Sequence, residues 1–562
     1  MGYFFFFLAM FIFVAVIFVR EIVQAEERKK KFRQSLYDGI GMPPKRKYTV
    51  ENMLHIPGYY QRHKEDGQLD DITWNDLNMD DVFKRINYTH SATGEEYLYY
   101  MLRSAGRREK DLVHLEEVVS AMTGNQDRMV QLQVYLSEMG YTGKHSLYDY
   151  IENLDTLGER GNFKHYLADA LYIPLILLAP FQLTLSITGI AVLSIYQIVS
   201  YFKDHKEMEP YIISFAYIMR LIGACEKVSR MELPACEGEL AGMKECIQKM
   251  QGVRRGSFWV FTASDSRTSG NPLELIMDYI RMIFHLDLII FNTMLKQLRL
   301  HVRETDELIS HAGFLEAAVS VSMLRASLKN GWCAPDFIGE EEPVELLLEK
   351  GYHILLEDPV ENSISASRGV LLTGSNASGK STFLKMVALN AVLAQTLHTC
   401  TAGVYRAPVF KVYSSMTLRD DLAGGESYYI VEIKALKRIL DAVRRGEKVL
   451  CFVDEVLRGT NTVERIAAST QILKSLSGGK VLCFAATHDI ELTELLQEDF
   501  DNYHFEEEIR DGDIFFAYRL MPGKATTRNA IRLLELIGYS ADITDQAFAS
   551  AQRFLESGTW QA

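Results

Sequence analysis

A short glycine-containing stretch, GSNASGKST over 374–382, has the residue spacing of a phosphate-binding loop. It fits the pattern G-x-x-x-x-G-K-[ST], in which the glycines let backbone N–H groups face phosphate oxygens. The lysine reaches the β- and γ-phosphates, and the hydroxyl that follows it holds Mg²⁺. We therefore predict an ATP site with Mg²⁺. The predicted nucleotide-binding residues are Gly374, Ser375, Asn376, Ala377, Ser378, Gly379, Lys380, Ser381 and Thr382.

The segments on either side of the loop predict the elements that hold it. The apolar run over 369–372 indicates a buried strand that leads into the loop. After the loop, apolar residues recur at helical spacing from Phe383 to Val392. A loop at the start of a helix gains positive potential from the helix N-terminus, which favours phosphate. The order strand, loop, helix therefore supports the nucleotide site.

A second apolar strand is predicted over 448–453 and ends in two carboxylates, Asp454 and Glu455. Two acids at the end of a strand often mean only that the strand end is solvated. After a phosphate loop in the same chain the pair is more specific. We predict that Asp454 binds Mg²⁺ and that Glu455 is the general base that activates the attacking water.

A third apolar strand, predicted over 481–486, ends in Thr487 and His488. Because ligands bind beyond the carboxyl ends of parallel strands, we expect His488 to sense the γ-phosphate as a catalytic residue, together with Lys380 and Glu455. The alternative is that Thr487 and His488 cap the next helix.

A second glycine-rich loop lies between the first two strands, over 420–427, and opens a helix. Such a loop can also bind phosphate, although an ordinary loop with a helix cap is the alternative. Two phosphate loops of one chain cannot easily crowd the same end of one nucleotide. We therefore predict a homodimer in which Ser427 caps the ATP of the partner chain.

Composition limits the classes of protein that this chain can be. It has 562 residues and a net charge of −14, so bulk composition offers no wide, uniformly basic surface for nucleic acid, although local basic patches are not excluded. The seven cysteines are scattered and contain no C-x-x-C pair. We therefore expect neither a disulfide framework nor a zinc site, and most of the chain should face a reducing cytosol.

Residues 3–19 form an unbroken, phenylalanine-rich apolar run. As a helix it would extend about 25 Å, near the lower limit for crossing a bilayer. Basic residues follow the run and none precedes it, which predicts a membrane anchor with the remaining chain in the cytoplasm of a bacterial-type cell. A cleaved signal peptide is the alternative, but a basic n-region is missing. The basic flank could also contact anionic membrane lipids.

A second apolar segment, over 170–202, carries no charged residue. Lys164 lies before it and Lys203 after it, so both ends should be cytoplasmic. A single crossing would place the nucleotide site outside the cell. We therefore predict a short membrane hairpin, and the alternative is a buried helical pair in a soluble core.

The remaining chain is predicted to be mostly helical before residue 345. No clear element is expected over 36–80, and helical spacing is found over 81–165 and again over 204–345. An irregular piece over 254–272 places two arginines beside aromatic residues. Such residues can touch nucleic acid, but a turn between two helices is the simpler interpretation.

Several stretches resemble the MutS mismatch-repair family. The runs DDLAGGESYYIVEIKALKRIL, VDEVLRGTNTVER and FAATHDIELTELL closely resemble its ATPase domain, with GSNASGKSTFLK as its phosphate loop and KGYHILL as the strand before it. VFKRINYTHSATGEEYLYYML resembles the start of the family's helical core, and LMPGKATTRNAIRLLELIGYS its C-terminal segment. The resemblance implies an α/β fold. It consists of an ABC-type P-loop ATPase domain that dimerises on ATP, preceded by an all-α, MutS-core-like region and hydrophobic membrane segments.

The predicted domains combine these observations. They are an anchor with a basic linker (1–35), a polar linker (36–80), a helical core-like part (81–165), the hydrophobic segment (166–203), a helical lever or core (204–345), the ATPase domain (346–545) and a C-terminal helix (546–562). The anchor and linker stand where the family has its mismatch-reading domain, so mismatch recognition is in doubt. We expect a membrane-anchored MutS-like ATPase whose dimer closure is coupled to DNA binding. The alternative is an ABC-type ATPase that drives a membrane process or transport without DNA.

Overall fold

The computed structural model describes residues 2–106, 108–142, 146, 148, 161–254, 272–339, 341–375, 378–416, 428–457, 461–510, 513–525 and 530–557. By its internal contacts the chain divides into two compact units. The helical unit comprises Met1–Lys64, Ile86–Tyr100 and His114–Ser327. The α/β unit comprises Glu65–Arg85, Met101–Val113 and Leu328–Ala562.

The chain before residue 328 is helical in its described parts. Its helices are α1 (Gly2–Asp38), α2 (Val50–His55), α3 (Gly58–Arg62), α4 (Asp71–Asp76), α5 (Met79–Ile86), α6 (Ala92–Arg103), α7 (Glu109–Gly124), α8 (Gln126–Ser137), α9 (Phe163–Ala170), α10 (Tyr172–Leu178), α11 (Leu183–Val228), α12 (Glu237–Lys249), α13 (Gln251–Arg254), α14 (Pro272–Phe284), α15 (Leu286–Leu300) and α16 (Val302–Ser327). A short 3₁₀ helix, Pro234–Cys236, precedes α12.

From residue 336 onwards the described chain contains both strands and helices. The elements are β1 (Asp336–Phe337), β2 (Leu346–Gly351), β3 (Asn362–Ala366), β4 (Gly369–Thr373), α17 (Lys380–Leu397), β5 (Val404–Ala407), β6 (Lys411–Ser415), α18 (Tyr428–Arg444), β7 (Val449–Asp454), α19 (Thr462–Ser475), β8 (Val481–Ala486), α20 (Glu491–Leu495), β9 (Phe500–His504), β10 (Glu507–Arg510), β11 (Asp513–Phe516), β12 (Met521–Pro522), α21 (Ala530–Ile537) and α22 (Ala541–Ser557).

A six-stranded sheet with the order β12-β9-β4-β8-β7-β6 organises the α/β unit. Its strands pair in parallel except β12, which is antiparallel to β9. Parallel sheets are covered on both faces, so their strands read as continuous apolar runs. Every residue of β4 and of β8 is buried accordingly. The three strands predicted around the nucleotide motifs are confirmed as β4, β7 and β8.

Two smaller sheets accompany the central one. A four-stranded sheet has the order β1-β5-β2-β3, and β10 pairs with β11 as an antiparallel hairpin. The stretch KGYHILL, predicted as a strand before the phosphate loop, contributes Lys350 and Gly351 to the end of β2. The hairpin follows β9 directly, so it begins beside the carboxyl edge of the central sheet.

The expectation of no clear element over 36–80 is wrong, because α2, α3 and α4 lie there. These helices are too short to show a 3.6-residue period, and side-chain caps begin two of them. Thr49 forms a capping box with Asn52 at α2, and Asp70 accepts a hydrogen bond from the Thr73 N–H at α4. Asp76, at the end of α4, accepts bonds from the Ser414 hydroxyl (2.7 Å) and the Met416 N–H (2.9 Å).

Helix α11 combines an exposed apolar half with a buried half. From Phe215 onwards its side chains enter the core of the helical unit, where α11 packs against α8, α12 and α16. Before that, Leu183–Lys206 is long and apolar enough to cross a membrane, and only 11% of its most apolar window is buried. It is the one such helix among the described residues. The predicted boundary at 203–204 therefore falls inside a continuous helix.

Candidate nucleotide site

The phosphate loop joins β4 to α17 with backbone angles that favour glycine. Gly374 has φ +145° and Gly379 has φ +106°, both in the left-handed range. A Cβ atom on Gly374 would lie 2.7 Å from the carbonyl oxygen of Phe505. Both positions therefore require glycine. Gly374 is required by its φ angle and by the nearby Phe505 carbonyl, and Gly379 by its φ angle.

Lys380 is the first residue of α17 and its side chain bends back over the loop. Its Nζ donates hydrogen bonds to the carbonyl oxygens of Gly374 and Ser375, at 2.8 Å each. The Ser375 hydroxyl donates to Glu507 Oε2 at 2.8 Å, which ties the loop to β10. The structure thus places the lysine ammonium at the mouth of the loop, where it can meet phosphate oxygens.

The two predicted metal ligands lie in direct contact. The Ser381 hydroxyl donates a hydrogen bond to Asp454 Oδ2 at 2.5 Å. The other carboxylate oxygen, Asp454 Oδ1, is buried and has no hydrogen-bond partner among the described residues. Mg²⁺ takes oxygen ligands and is usually held by one or two carboxylates plus substrate phosphates. A hydroxyl beside an unsatisfied carboxylate oxygen therefore fits Mg²⁺. No cluster of three or more His, Cys, Asp or Glu side chains suited to a metal occurs in the described chain.

Glu455 and His488 form the second polar pair at this edge. His488 Nε2 lies 3.1 Å from Glu455 Oε1. Glu455 has φ +56°, a left-handed angle that is uncommon outside glycine, and its N–H donates to the Ala486 carbonyl at 2.9 Å. This hydrogen bond joins the residue after β7 to the last residue of β8, and it fixes the position of the Glu455 backbone. The structure thereby brings together two residues that the sequence separates by a helix and a strand.

A cavity of about 540 Å³ opens over the loop. Seven of the predicted site residues line it, namely Ser375, Ser378, Gly379, Lys380, Ser381, Thr382 and Glu455. Asp454 and His488 do not line the cavity, but each contacts a residue that does. Asp454 accepts a hydrogen bond from Ser381, and His488 lies beside Glu455. The volume lies within the range of small-molecule sites, and the lining combines many polar side chains with a smaller number of apolar ones.

Other residues of the cavity were missed by sequence reasoning. His353, Asp358, Asn362, Phe505 and Tyr518 also line it. The side-chain amide of Asn362 donates to the Tyr518 carbonyl at 2.9 Å, and its oxygen accepts from the Leu520 N–H at 2.8 Å. Burial lowers the pKa of His353 to about 4, so its ring is neutral at pH 7. These residues have no fixed spacing from the loop, so no sequence pattern could have identified them.

Three predicted residues lie outside the described residues, namely Asn376, Ala377 and Ser427. The same holds for most of the irregular piece over 254–272. Helix α18 begins at Tyr428, directly after Ser427. The trans role of Ser427 therefore stays a prediction.

Comparison with known proteins identifies the C-terminal region. Residues 370–555 match the family model of MutS domain V. The DNA mismatch repair protein MutS of Thermus thermophilus is 30% identical over 259 residues, which is 45% of this chain and 31% of that protein. MutS of Aquifex pyrophilus is 31% identical over 261 residues, 44% of this chain and 30% of that protein. DNA mismatch repair protein MutS 2 of Haloarcula marismortui is 33% identical over 181 residues, 32% of this chain and 19% of that protein.

The chain spans less than a third of the length of these relatives. The matched region contains the phosphate loop, both carboxylates of β7 and His488, so the similarity covers the site described above. MutS domain V is an ATPase-type domain, and the α/β unit has the mixed helix and strand content of such a domain. The C-terminal region over 370–555 is therefore similar to domain V of MutS proteins.

Proposed function

We propose that the chain is a membrane-anchored MutS-like ATPase with an ABC-type P-loop domain, in which ATP closes a homodimer and closure is coupled to DNA binding. One observation carries the proposal: Lys380, the Ser381–Asp454 pair and the Glu455–His488 pair converge on one edge of one sheet. These are a phosphate cation, a Mg²⁺ site and a base with an imidazole partner. Together they are the groups that ATP hydrolysis needs.

Each group has a defined task in the proposed reaction. Lys380 exchanges the carbonyls of Gly374 and Ser375 for phosphate oxygens. Ser381 with Asp454 would hold Mg²⁺, and the bound ion would neutralise charge on the phosphates. Glu455 accepts a proton from water as the water oxygen bonds to the γ-phosphorus. The bond from that phosphorus to the bridging oxygen breaks, and ADP leaves. His488 holds the Glu455 carboxylate in position.

The dimer brings in the second phosphate loop. Helix α18 starts at Tyr428, and its N-terminus adds positive potential at Ser427. In the proposed dimer the Ser427 hydroxyl and this helix end contact the γ-phosphate held by the partner chain. Hydrolysis removes that contact and releases the dimer.

The apolar segments support membrane attachment. The exposed half of α11 would extend about 36 Å as a helix, against about 30 Å for the apolar part of a bilayer. Helix α10 packs on it, with the Ser186 hydroxyl donating to the Leu175 carbonyl at 2.7 Å. Helix α10 is too short to cross alone. We infer a hairpin that enters and leaves by the cytoplasmic side, beside an N-terminal anchor over 3–19.

An ABC-type ATPase that drives a membrane process without DNA is the second candidate. It is favoured by the net charge of −14 and by the exposed apolar face of α10 and α11. DNA binding by MutS-type proteins needs basic side chains facing phosphates, and those contacts weaken steeply with salt.

Gel shift in low salt separates the two candidates. Duplex, branched and mismatched DNA are each tested with the wild-type chain and with Glu455→Gln, in the presence and absence of ATP and Mg²⁺. Glu464→Gln, an exposed acid on α19, is the matched control. ATP-dependent binding that is prolonged only by Glu455→Gln supports coupled DNA binding. If none of the DNAs binds while ATP is still hydrolysed, the second candidate holds.

A further inference from the structure

The helical unit contains a cavity of about 600 Å³, larger than the cavity over the phosphate loop. It is formed by the end of α1, the segment over 43–47, α2, the segment over 87–90, α6, α8, residues 141–142 and α16. All of these belong to the helical unit, so the cavity lies within one compact body. The proposed ATPase mechanism gives this cavity no role.

Basic side chains outnumber acidic ones on the cavity wall, where Lys45, Arg46 and Lys47 stand against Glu95 and Glu96. The segment with Lys45 and Lys47 is called the rim. Glu95 is paired with Arg46, whose Nη1 lies 2.6 Å from Glu95 Oε2. Glu96 accepts hydrogen bonds from the Tyr59 N–H at 3.0 Å and the Ser146 hydroxyl at 3.1 Å. Arg46 therefore balances the charge of Glu95, whereas Glu96 is held by hydrogen bonds from neutral groups and remains the one acid to set against the two lysines of the wall.

Two lysines of the rim remain without a partner in the described chain. Lys45 and Lys47 are exposed, and no ion pair of either occurs in that part of the protein. Two ammonium groups that lie two positions apart in the chain, at the entrance of a cavity, are suited to a phosphate group. The rim thus favours an anionic ligand over a cationic or neutral one.

The interior of the cavity also contains neutral polar side chains. Burial lowers the pKa of His90 to about 4, so its ring is neutral at pH 7 and offers one donor and one acceptor. Gln133 on α8 is only 2% exposed, and neither its Oε1 nor its Nε2 has a hydrogen-bond partner among the described residues. A buried amide without partners is unfavourable unless a ligand completes it.

A glutamine amide presents a donor and an acceptor side by side. A planar ring that carries an adjacent donor and acceptor satisfies both at once, as a nucleobase edge does. Arg46 adds a flat guanidinium to the wall, stacked 3.7 Å from the centre of the Tyr141 ring. Planar cations and aromatic rings are surfaces on which a base can stack.

We propose that this cavity binds a nucleoside monophosphate, with its base towards Gln133 and His90 and its phosphate at Lys45 and Lys47. The site is separate from the phosphate loop and does not depend on ATP hydrolysis. A sugar phosphate or free phosphate would use the rim alone and leave the amide unpaired.

Equilibrium dialysis tests the proposal on the full chain carrying Lys380→Ala, so that the phosphate loop competes less for nucleotide. AMP, GMP, CMP and UMP are titrated separately, with ribose 5-phosphate and inorganic phosphate as comparisons. We expect one saturable site for at least one nucleotide, with binding at least about 10-fold weaker for ribose 5-phosphate. Equal binding of ribose 5-phosphate, or no saturation by any nucleotide, would overturn the proposal.

Substitutions of cavity residues test whether the nucleotide binds in this cavity. Gln133→Leu, and separately Lys45→Ala with Lys47→Ala, should each weaken nucleotide binding about 10-fold or more. The exposed pair Lys110→Ala with Lys244→Ala makes the same charge change elsewhere and should leave binding intact. If the control pair weakens binding as much as the rim pair, the rim has no specific role and the proposal fails.

Stability of the free protein gives an independent readout. Because leucine removes an unpaired buried amide at similar volume, Gln133→Leu should raise the melting temperature of the ligand-free chain by about 2–4 °C. A lower melting temperature would mean that the amide already has an internal role, and that result would contradict its assignment to a ligand.

Discussion

The nucleotide site and the cavity of the helical unit are both assembled from distant residues, but they differ in what brings those residues together. At the nucleotide site each group follows a strand of one parallel sheet, so the sheet alone places Lys380, Asp454 and His488 at one edge. The helical cavity draws its wall from separate helices and loops.

The two regions also differ in how their polar groups are satisfied. At the sheet edge the main polar side chains contact one another, as Ser381 does Asp454 and as Glu455 does His488. In the helical cavity the Gln133 amide has no partner in the described chain. A parallel sheet thus places functional side chains through the order of its strands, whereas a helical bundle places them through the packing of its helices. Variants that act on one region and spare the other test this difference.

The largest expected effect is on turnover at the sheet edge. Glu455→Gln removes the proposed base but keeps the size of the side chain, so ATP hydrolysis should fall about 10²- to 10⁴-fold. ATP binding should persist, and the closed dimer should accumulate in size-exclusion chromatography with ATP and Mg²⁺. Glu464→Gln on α19 should leave turnover unchanged. Normal turnover in Glu455→Gln would assign the base to another residue.

The next effect is on nucleotide affinity. Lys380→Ala removes the cation at the mouth of the loop and should weaken ATP binding about 10- to 100-fold, measured by titration with a fluorescent ATP analogue. Lys474→Ala changes the same charge on the exposed face of α19 and should have no effect. Equal affinity of the Lys380→Ala and wild-type chains would show that phosphate is not bound at this loop.

A third prediction concerns the exposed apolar face of the helical unit. Phe181, between α10 and α11, is 84% exposed in the absence of a membrane, and Val463 in the α/β unit is 76% exposed. In vesicles with brominated lipids, the tryptophan of Phe181→Trp should lose about half of its added fluorescence because it enters the apolar layer. The tryptophan of Val463→Trp should keep its fluorescence. Equal quenching of both would contradict the hairpin.

The smallest expected effect depends on pH in the helical unit. His63 Nε2 lies 2.9 Å from Asp306 Oδ2. Burial opposes the charged imidazole, but the hydrogen bonds to Asp306 and to the Tyr59 carbonyl, together with the negative charge of Asp306, outweigh it and raise the pKa of His63 above 6.5. Burial is likewise outweighed at Asp306, whose pKa is lowered by its bonds to His63 and Tyr148.

The sign of this effect follows from the two pKa shifts. Stability from His63 is fully present below about pH 6.5 and is lost as pH rises through its raised folded pKa, while Asp306 stays ionised. Because the pair is partly exposed, we expect about 1 kcal/mol or less. The melting temperature of the wild-type chain should be higher than that of His63→Asn at about pH 5.5. At about pH 8.5 the two melting temperatures should be nearly equal. In an Asp306→Asn background the pH-dependent difference should vanish, and its persistence would assign it to another group.

Much of the α/β unit could be predicted from local sequence. Strands β4, β7 and β8 were predictable because strands buried on both faces must be apolar throughout, and helix α17 because of its periodicity. The helices α2, α3 and α4 were not, since a helix of about one or two turns shows no period. The continuity of α11 was also missed, because the sequence shows an uncharged apolar segment that ends at residue 202 and charged residues directly after it, within one helix.

By itself, the sequence determined the phosphate loop, the acids and the histidine that follow two strands, the uncharged apolar segment and the resemblance to MutS proteins, because each depends on residue types at short spacing. The tertiary structure alone decided which side chains meet: Glu455 with His488, Ser375 with Glu507, and Asn362 with Tyr518. It also decided that Gln133 lies buried beside a cavity with a lysine rim. Such contacts join residues far apart in the chain, and only packing of the whole fold brings them within reach.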